Sequence, residues 1–407
     1  MKPKAIGVLL VLAAAAGCAT PGAPTATQTF GDDLEFLKQH TDVIVLSDGS
    51  GKAQVAVVPQ MQGRVMTSTA DGAAGRSFGW INRELIASGE LLEHMNAFGG
   101  EDRFWLGPEG GQFSIFFEKG VPFDLEHWYT PAPIDTEPFD VTFKSEQLAV
   151  FTKTMQLRNY SGTVFDLRVN REVRVLERDE AASTLGAAVM PSVKMVAFES
   201  TNRVTNIGQD PWKPQTGLLS IWILGMLTPS GETTVVVPLV PGPEERLGPI
   251  VNDTYFGKVP AERLVVKGDV LFFSGDGQYR SKIGLSPRRA RSVLGSYDAA
   301  NQVLTIVQYN KPEGVTQYVN SMWELQEHPY RGDVVNSYND GPPEPGAKPM
   351  GPFYELESSS PAAALDTGQS ILHTHRTFHL TGSEAALDPV ARTLLGVTLA
   401  EITSALP

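Results

Sequence analysis

From Asp42 to about Leu380 the chain is dominated by short runs in which apolar residues alternate with polar ones or are β-branched. DVIVL, QVAVVP, FDVTF, LAVFTKTMQL, FDLRVNREVRVL, VKMVAFEST, TTVVVPLV, RLVVKGDVLFF, QVLTIVQY and ILHTHRTFHL all read as strands. Turn chemistry separates them, in NYSG, TNIGQD, TPSG, SGDG, KPEG and NDGPPEPG. With 39 glycines, 29 prolines and few helical periods, this pattern predicts one large antiparallel β-sandwich. Two helices are expected outside it. DDLEFLKQH is short and amphipathic, and EAALDPVARTLLGVTLAEITSAL repeats apolar residues at helical spacing, giving a docked C-terminal helix over 384–407. NDGPPEPGAKPMGP reads as a rigid surface loop within the domain, because strands continue on both sides of it.

The first residues change the picture of where the chain works. Lys2 and Lys4 precede an apolar run, Ala5 to Ala16, that is too short to span a membrane and reads as a secretory signal. The run ends at AAGC, which resembles a bacterial lipoprotein signal over 1–18, in which Cys18 is lipidated and becomes the first mature residue. Ala15 departs from the leucine usual there. The alternative is a plain signal peptide cut near Ala19 or Ala23. Both imply export, and the first implies a lipid anchor in the cell envelope, in the outer membrane facing the periplasm. Residues 19–29, rich in Pro, Thr, Ala and Gly, form a flexible tether to a domain over 30–383.

Cys18 is the only cysteine, so the folded part relies on its core and not on disulfides. A net charge of −13 without a basic cluster argues against nucleic acid and against an electrostatic membrane patch. Membrane contact then comes from the lipid alone, which needs several acyl chains to hold. No phosphate loop, dinucleotide fingerprint, nucleophile elbow or zinc-protease motif occurs, so no cofactor is expected.

Three of the seven histidines fall in ILHTHRTFHL. On a strand His373, His375, Thr377 and His379 share one face. Two histidines at i, i+2 can chelate a metal but need a third ligand that the sequence does not place, so no metal is assigned. The other reading is a strand face turned to a rim or groove.

Four pieces, in order, resemble the galactose-mutarotase-like (aldose 1-epimerase-like) superfamily, in particular its exported bacterial relatives. They are VAVVPQMQGRVMTSTADG, FGGEDRFWLGPEGG, TNRVTNIGQDPW and FYELESSSPAAALDTGQSILHTHRTFHL. The resemblance covers about residues 42–380 and implies an antiparallel β supersandwich that binds sugars. It places Arg103 where mutarotases carry a sugar-contacting arginine, and ILHTHRTFHL as the last strand. It also implies a carboxylate base in FYELES, where Glu355 or Glu357 aligns. The histidines that serve as the acid in mutarotases have no counterpart, since none occurs between His127 and His328.

Trp105 offers a platform for a sugar ring beside Arg103, although Glu101 and Asp102 would equally hold that arginine in a structural ion pair. His127, with Trp128 and Tyr129, reads as a cleft wall or as core. Asn336 and Tyr338 lie in the densest polar stretch, YRGDVVNSYNDGPPEPG, and are candidates for sugar hydroxyls, as are His373 and His375 on their strand. Lys282 stands on a strand beside the basic loop SPRRAR. Three functions follow: an epimerase-like or other sugar-modifying enzyme using Glu355 or Glu357, a non-catalytic sugar-binding lipoprotein, or a structural envelope protein. The first two require a carbohydrate ligand.

Overall fold

The computed structural model describes residues 28–407. The expected signal, Cys18 and all but the last two residues of the expected tether lie outside the described residues. In chain order the first strands are β1 (Ile44–Ser47), β2 (Gln54–Val58), β3 (Arg64–Thr69), β4 (Arg103–Gly107), β5 (Asp140–Lys144) and β6 (Leu148–Arg158). There follow β7 (Val164–Val175), β8 (Lys194–Asn206), β9 (Ser220–Leu227), β10 (Thr233–Pro238), β11 (Leu264–Lys267) and β12 (Val270–Ser274). The last are β13 (Ser281–Leu285), β14 (Val293–Asp298), β15 (Val303–Tyr309), β16 (Val335–Asn339), β17 (Tyr354–Ser359) and β18 (Ser370–Thr381). The helices are α1 (Phe30–His40), α2 (Arg83–Ser88), α3 (Ala132–Asp135), α4 (Arg178–Leu185), α5 (Glu244–Leu247), α6 (Glu384–Leu395) and α7 (Leu399–Thr403).

Every strand pairing is antiparallel, as the turn-rich sequence predicts. Ten strands form one large sheet, in the order β11-β12-β10-β14-β15-β18-β8-β7-β6-β5. Five form a second, in the order β13-β16-β17-β9-β4, and β1 to β3 form a third. In β7 the alternation is complete: Phe165, Leu167, Val169 and Val173 are buried, with polar residues between them on the outer face. Arg171 is the exception on the inner face. Its guanidinium is buried and donates to Asp102 Oδ1 and Asn202 Oδ1, each at 2.6 Å, and to the Gly63 carbonyl at 3.0 Å.

The five-stranded sheet packs one face on the large sheet. Phe104, Leu106, Ile221 and Ile223 meet Phe151, Phe165 and Phe198, while Ile283, Leu285, Val335 and Leu356 meet Val235, Phe273 and Leu294. The opposite face of the large sheet is covered by α4, α6 and α7, through Leu185, Leu387, Val390, Leu395 and Ile402 on Phe378 and Leu380. At the other end α1 begins with a capping box between Thr29 and Asp32 and lays Phe30 and Leu37 on Ala56, Val58 and Met66.

The single C-terminal helix expected over 384–407 is two helices. Gly396 adopts a left-handed conformation (φ 76°) that closes α6, and Thr398 with Glu401 forms a fresh capping box for α7. The apolar spacing on either side of Gly396 survives this break, which is why it reads as continuous in sequence.

Candidate active site

Because β-strand side chains alternate, the free face of the five-stranded sheet is fixed by register. Lys282 stands opposite Tyr338, Tyr338 opposite Glu355, and Glu355 opposite Met226. One row along lie Asn336, Glu357, Leu224 and Arg103. A third row pairs Ser359, Trp222 and Trp105. Five strands scattered from 103 to 359 thus present one continuous polar and aromatic surface.

Loops close this surface into a cleft with a cavity volume of about 130 Å³. Gly110 brings the turn after β4 against the 320–326 loop: a Cβ there would lie 2.3 Å from the Met322 carbonyl oxygen. The Glu109 backbone N–H donates to Ser321 Oγ at 3.1 Å. Glu109 and Trp323 therefore form one wall, Trp128 and Leu125 another, and Arg280, Phe256 and Met350 the lip. Four tryptophans, Trp105, Trp128, Trp222 and Trp323, surround the space, with Trp105 and Trp222 edge to face at 5.5 Å and Trp128 stacked on Trp323 at 5.8 Å.

The charges at the base come in pairs. Arg103 Nη2 donates to Glu355 Oε1 at 3.3 Å, both side chains nearly inaccessible, and the guanidinium lies 4.0 Å over the Trp105 ring. Lys282 Nζ donates to Glu357 Oε2 at 3.1 Å and sits 4.7 Å over Trp222, whose indole N–H donates to the same oxygen at 2.8 Å. Burial raises the Glu355 carboxyl from 4.5 to about 8; Arg103 pulls it down and neighbouring Glu357 pushes it up. Burial opposes the charge on Lys282, but Glu357, Glu109 and Glu355 outweigh it and hold the ammonium above its ordinary value. Withdrawal from solvent raises the Glu109 carboxyl as well, against the pull of Lys282.

Several polar atoms of these residues are buried without a hydrogen-bond partner: Arg103 Nε, Trp105 Nε1, Trp128 Nε1 and Glu357 Oε1. Buried polar atoms are ordinarily satisfied. The three donors belong to residues that line one small space walled by aromatic rings, and the Glu357 acceptor lies behind it. The cleft volume, about 130 Å³, approaches the cavity of about 150 Å³ that holds a benzene, and the cleft opens outward at its lip.

Arg103, Trp105, Tyr338 and Glu355 line the cleft, and Glu357 lies directly behind Lys282 and Trp222. Asn336 sits deeper, donating to the Ile283 carbonyl at 3.2 Å and to Tyr255 Oη at 3.3 Å beside Asp333. Burial raises the Asp333 carboxyl to about 6 despite hydrogen bonds from Tyr255 and Asn252. Neither acidic neighbour of Arg103 pairs with it. Asp102 turns to the opposite face and holds Arg171, while Glu101 accepts from Ser68 Oγ and contacts His379 Nε2, each at 2.8 Å.

His127 does not line the cleft. Its Nδ1 lies 2.6 Å from Asp124 Oδ1 at the surface, while neighbours Leu125 and Trp128 point inward. His373 and His375 are elsewhere too. They share a face of β18, as the alternation predicts, but that face lies between the two sheets and not on a groove. His373 Nε2 and His375 Nδ1 each lie 2.8 Å from Ser358 Oγ, and Ser358 points away from Glu355 and Glu357 because it stands one residue from Glu357 on β17. Burial drives these imidazoles down to about 3 and about 4, so both are neutral near pH 7. Among the described residues no group of three or more His, Cys, Asp or Glu is placed to hold a metal ion.

Trp222, Trp323, Glu109 and Arg280 were not singled out by sequence. Trp222 lies in SIWILGML, buried throughout, where no alternation marks a face. Arg280 and Lys282 did carry a signal, their i, i+2 spacing beside a strand. A wider depression of about 650 Å³ lies among loops 244–249, 286–288, 316–317 and 327–332, but its charged side chains are exposed and solvated. The buried, paired and unsatisfied groups concentrate in the smaller cleft.

A model of the family of unknown function DUF6786 matches residues 28–406. No curated protein matches the sequence. Among solved structures, a provisionally named aldose 1-epimerase from Escherichia coli K12 superposes with a TM-score of 0.50 at 12% identity, over 84% of this chain and 99% of that one. A galactose mutarotase-like protein from Lactobacillus casei ATCC 334 aligns with a TM-score of 0.46 at 10% identity, over 83% of this chain and 100% of that one. The architecture is therefore the galactose-mutarotase-like sandwich that the sequence motifs predict.

Proposed function

The chain belongs to the family of unknown function DUF6786, and from the cleft itself we propose that it binds a single sugar residue on the free face of the five-stranded sheet. The observation that carries this reading is the set of unsatisfied buried donors on Arg103, Trp105 and Trp128 among four tryptophan rings. A pyranose offers what such a site lacks. Its C–H faces pack on aromatic rings, and its hydroxyls both donate and accept. Arg103 and the two indole N–H groups donate to ring hydroxyls, while Glu357 fixes Lys282 and Trp222 from behind. The galactose-mutarotase-like fold supports a sugar-related role. In this reading the protein is exported and anchored through a lipid on Cys18, and it takes up sugar at the cell envelope.

One observation favours a catalytic version. Glu355 has a carboxyl near 8, within reach of neutral pH for proton transfer, and Lys282 and Glu109 share its cleft. An aldose epimerase-like reaction would have Glu355 exchange the anomeric hydroxyl proton while Lys282 or Glu109 serves the ring oxygen, in place of the histidine that such enzymes use. Titration of glucose and galactose against intrinsic tryptophan fluorescence tests the binding reading, with anomer exchange followed by NMR on the same samples. Saturable quenching that weakens in Trp105→Ala supports binding. Exchange that disappears in Glu355→Gln while binding persists supports catalysis. A flat titration with every hexose and hexuronate contradicts both.

A further inference from the structure

The carboxyls around the cleft are already engaged. Glu355 pairs with Arg103 and Glu357 with Lys282. Asp340 accepts from Tyr338 Oη at 2.7 Å and from the Gly351 backbone N–H at 2.8 Å. Glu109 faces Lys282 and Trp323 from the opposite wall. One lining cation is left over. Arg280 stands two residues before Lys282, on the same side of the strand, and takes part in no ion pair among the described residues. Its guanidinium lies 3.9 Å over the Phe256 ring at the lip, a stacking that holds the plane, and reaches the Tyr338 hydroxyl, with no carboxylate paired to its edge.

We propose that Arg280 selects a hexuronate, a sugar whose ring carries a carboxylate, for the cleft. The proposal rests on the sugar-binding reading above and adds the substrate class. A guanidinium edge matches a carboxylate with two parallel hydrogen bonds, and one stacked arginine supplies one such edge. A phosphate draws on more than one cation, and the remaining two in the cleft are each committed to a glutamate. The geometry puts the anionic substituent at the lip, with the ring behind it among Trp105, Trp128 and Trp222. The raised carboxyls of Glu355, Glu109 and Asp340 reduce the negative charge that an incoming carboxylate meets.

The test compares affinities by calorimetry for glucuronate and galacturonate against glucose and galactose, with glucose 6-phosphate as a third arm. The uronates are expected to bind at least about tenfold tighter than the matching hexoses, the worth of one charge-assisted pair. Arg280→Met is expected to bring the uronate-to-hexose ratio to within about twofold. That ratio is the readout, because misfolding would weaken both ligands together. Equal affinities in the native protein, an unchanged ratio in Arg280→Met, or tighter binding of glucose 6-phosphate than of either uronate overturns the uronate assignment while leaving sugar binding intact. Absence of binding by all five ligands overturns the underlying reading with it.

Discussion

Arg103 and Glu355 stand 252 positions apart in the chain and make a 3.3 Å hydrogen bond at the base of the cleft. Strand order brings them together: β4 and β17 both flank β9, and register sets both side chains on its free face. Removing one partner of a buried pair leaves the other uncompensated. Arg103→Met is therefore expected to destabilise the protein by about 3 kcal/mol, and Arg103→Met with Glu355→Gln by less than the sum of the single changes. Urea unfolding of the four proteins at about pH 9, above the Glu355 titration, measures this. A loss under about 1 kcal/mol in Arg103→Met would mean that the two groups do not face each other as buried charges.

Glu355 also makes stability depend on pH. Its carboxyl titrates at 4.5 in the unfolded reference and at about 8 in the fold, so between those values the native state holds a proton that the unfolded chain has released. This contribution is full below pH 4.5 and is lost as pH rises through 8. Melting temperatures of the native protein are expected to fall relative to Glu355→Gln between pH 5 and about 9. Parallel curves would mean that Glu355 is ionised throughout.

The histidines between the sheets act in the opposite direction. His373 and His375 are lowered from 6.5 to about 3 and about 4, so the unfolded chain binds protons there that the fold excludes. Their contribution is present above pH 6.5 and is lost as pH falls toward 4 and then 3. His373→Gln with His375→Gln is expected to lower stability at pH 7 but to lose less of it on acidification to pH 4 than the native protein does, followed by circular dichroism. An equal loss would show that other groups drive acid unfolding.

The large sheet was more legible in sequence than the cleft sheet, for a physical reason. β7 keeps one face on the core and one outward, so it alternates, whereas β9 is buried on both faces and reads as the continuous run SIWILGML. The face occupied by His373 and His375 was readable, but not which side of it held the partner sheet. That depends on β17 pairing, where Ser358 and Glu357 point opposite ways. Arg103, Trp105 and Glu355 were reachable through motif resemblance, and Tyr338 through the polar stretch that contains it. Trp323 and Glu109 reach the cleft through loop packing around Gly110, which no local pattern encodes.

The lipid anchor is tested apart from the cleft. Cys18→Ala is expected to move the protein out of the membrane fraction or to leave the precursor uncleaved, by fractionation and mass spectrometry. Normal processing and membrane retention in that variant would remove the proposed lipid anchor without touching the proposed sugar site.

The indole N–H groups give the most direct measurement of the central claim. Trp105 Nε1 and Trp128 Nε1 are buried and unpaired in the cleft, whereas Trp80 and Trp212 lie outside it. In nitrogen-15 NMR, with signals assigned by single Trp→Phe changes, saturating hexose or hexuronate is expected to shift the Trp105 and Trp128 indole signals and to leave those of Trp80 and Trp212 in place. Indole signals that stay fixed with every sugar, or shifts confined to Trp80 and Trp212, would contradict a sugar site in this cleft.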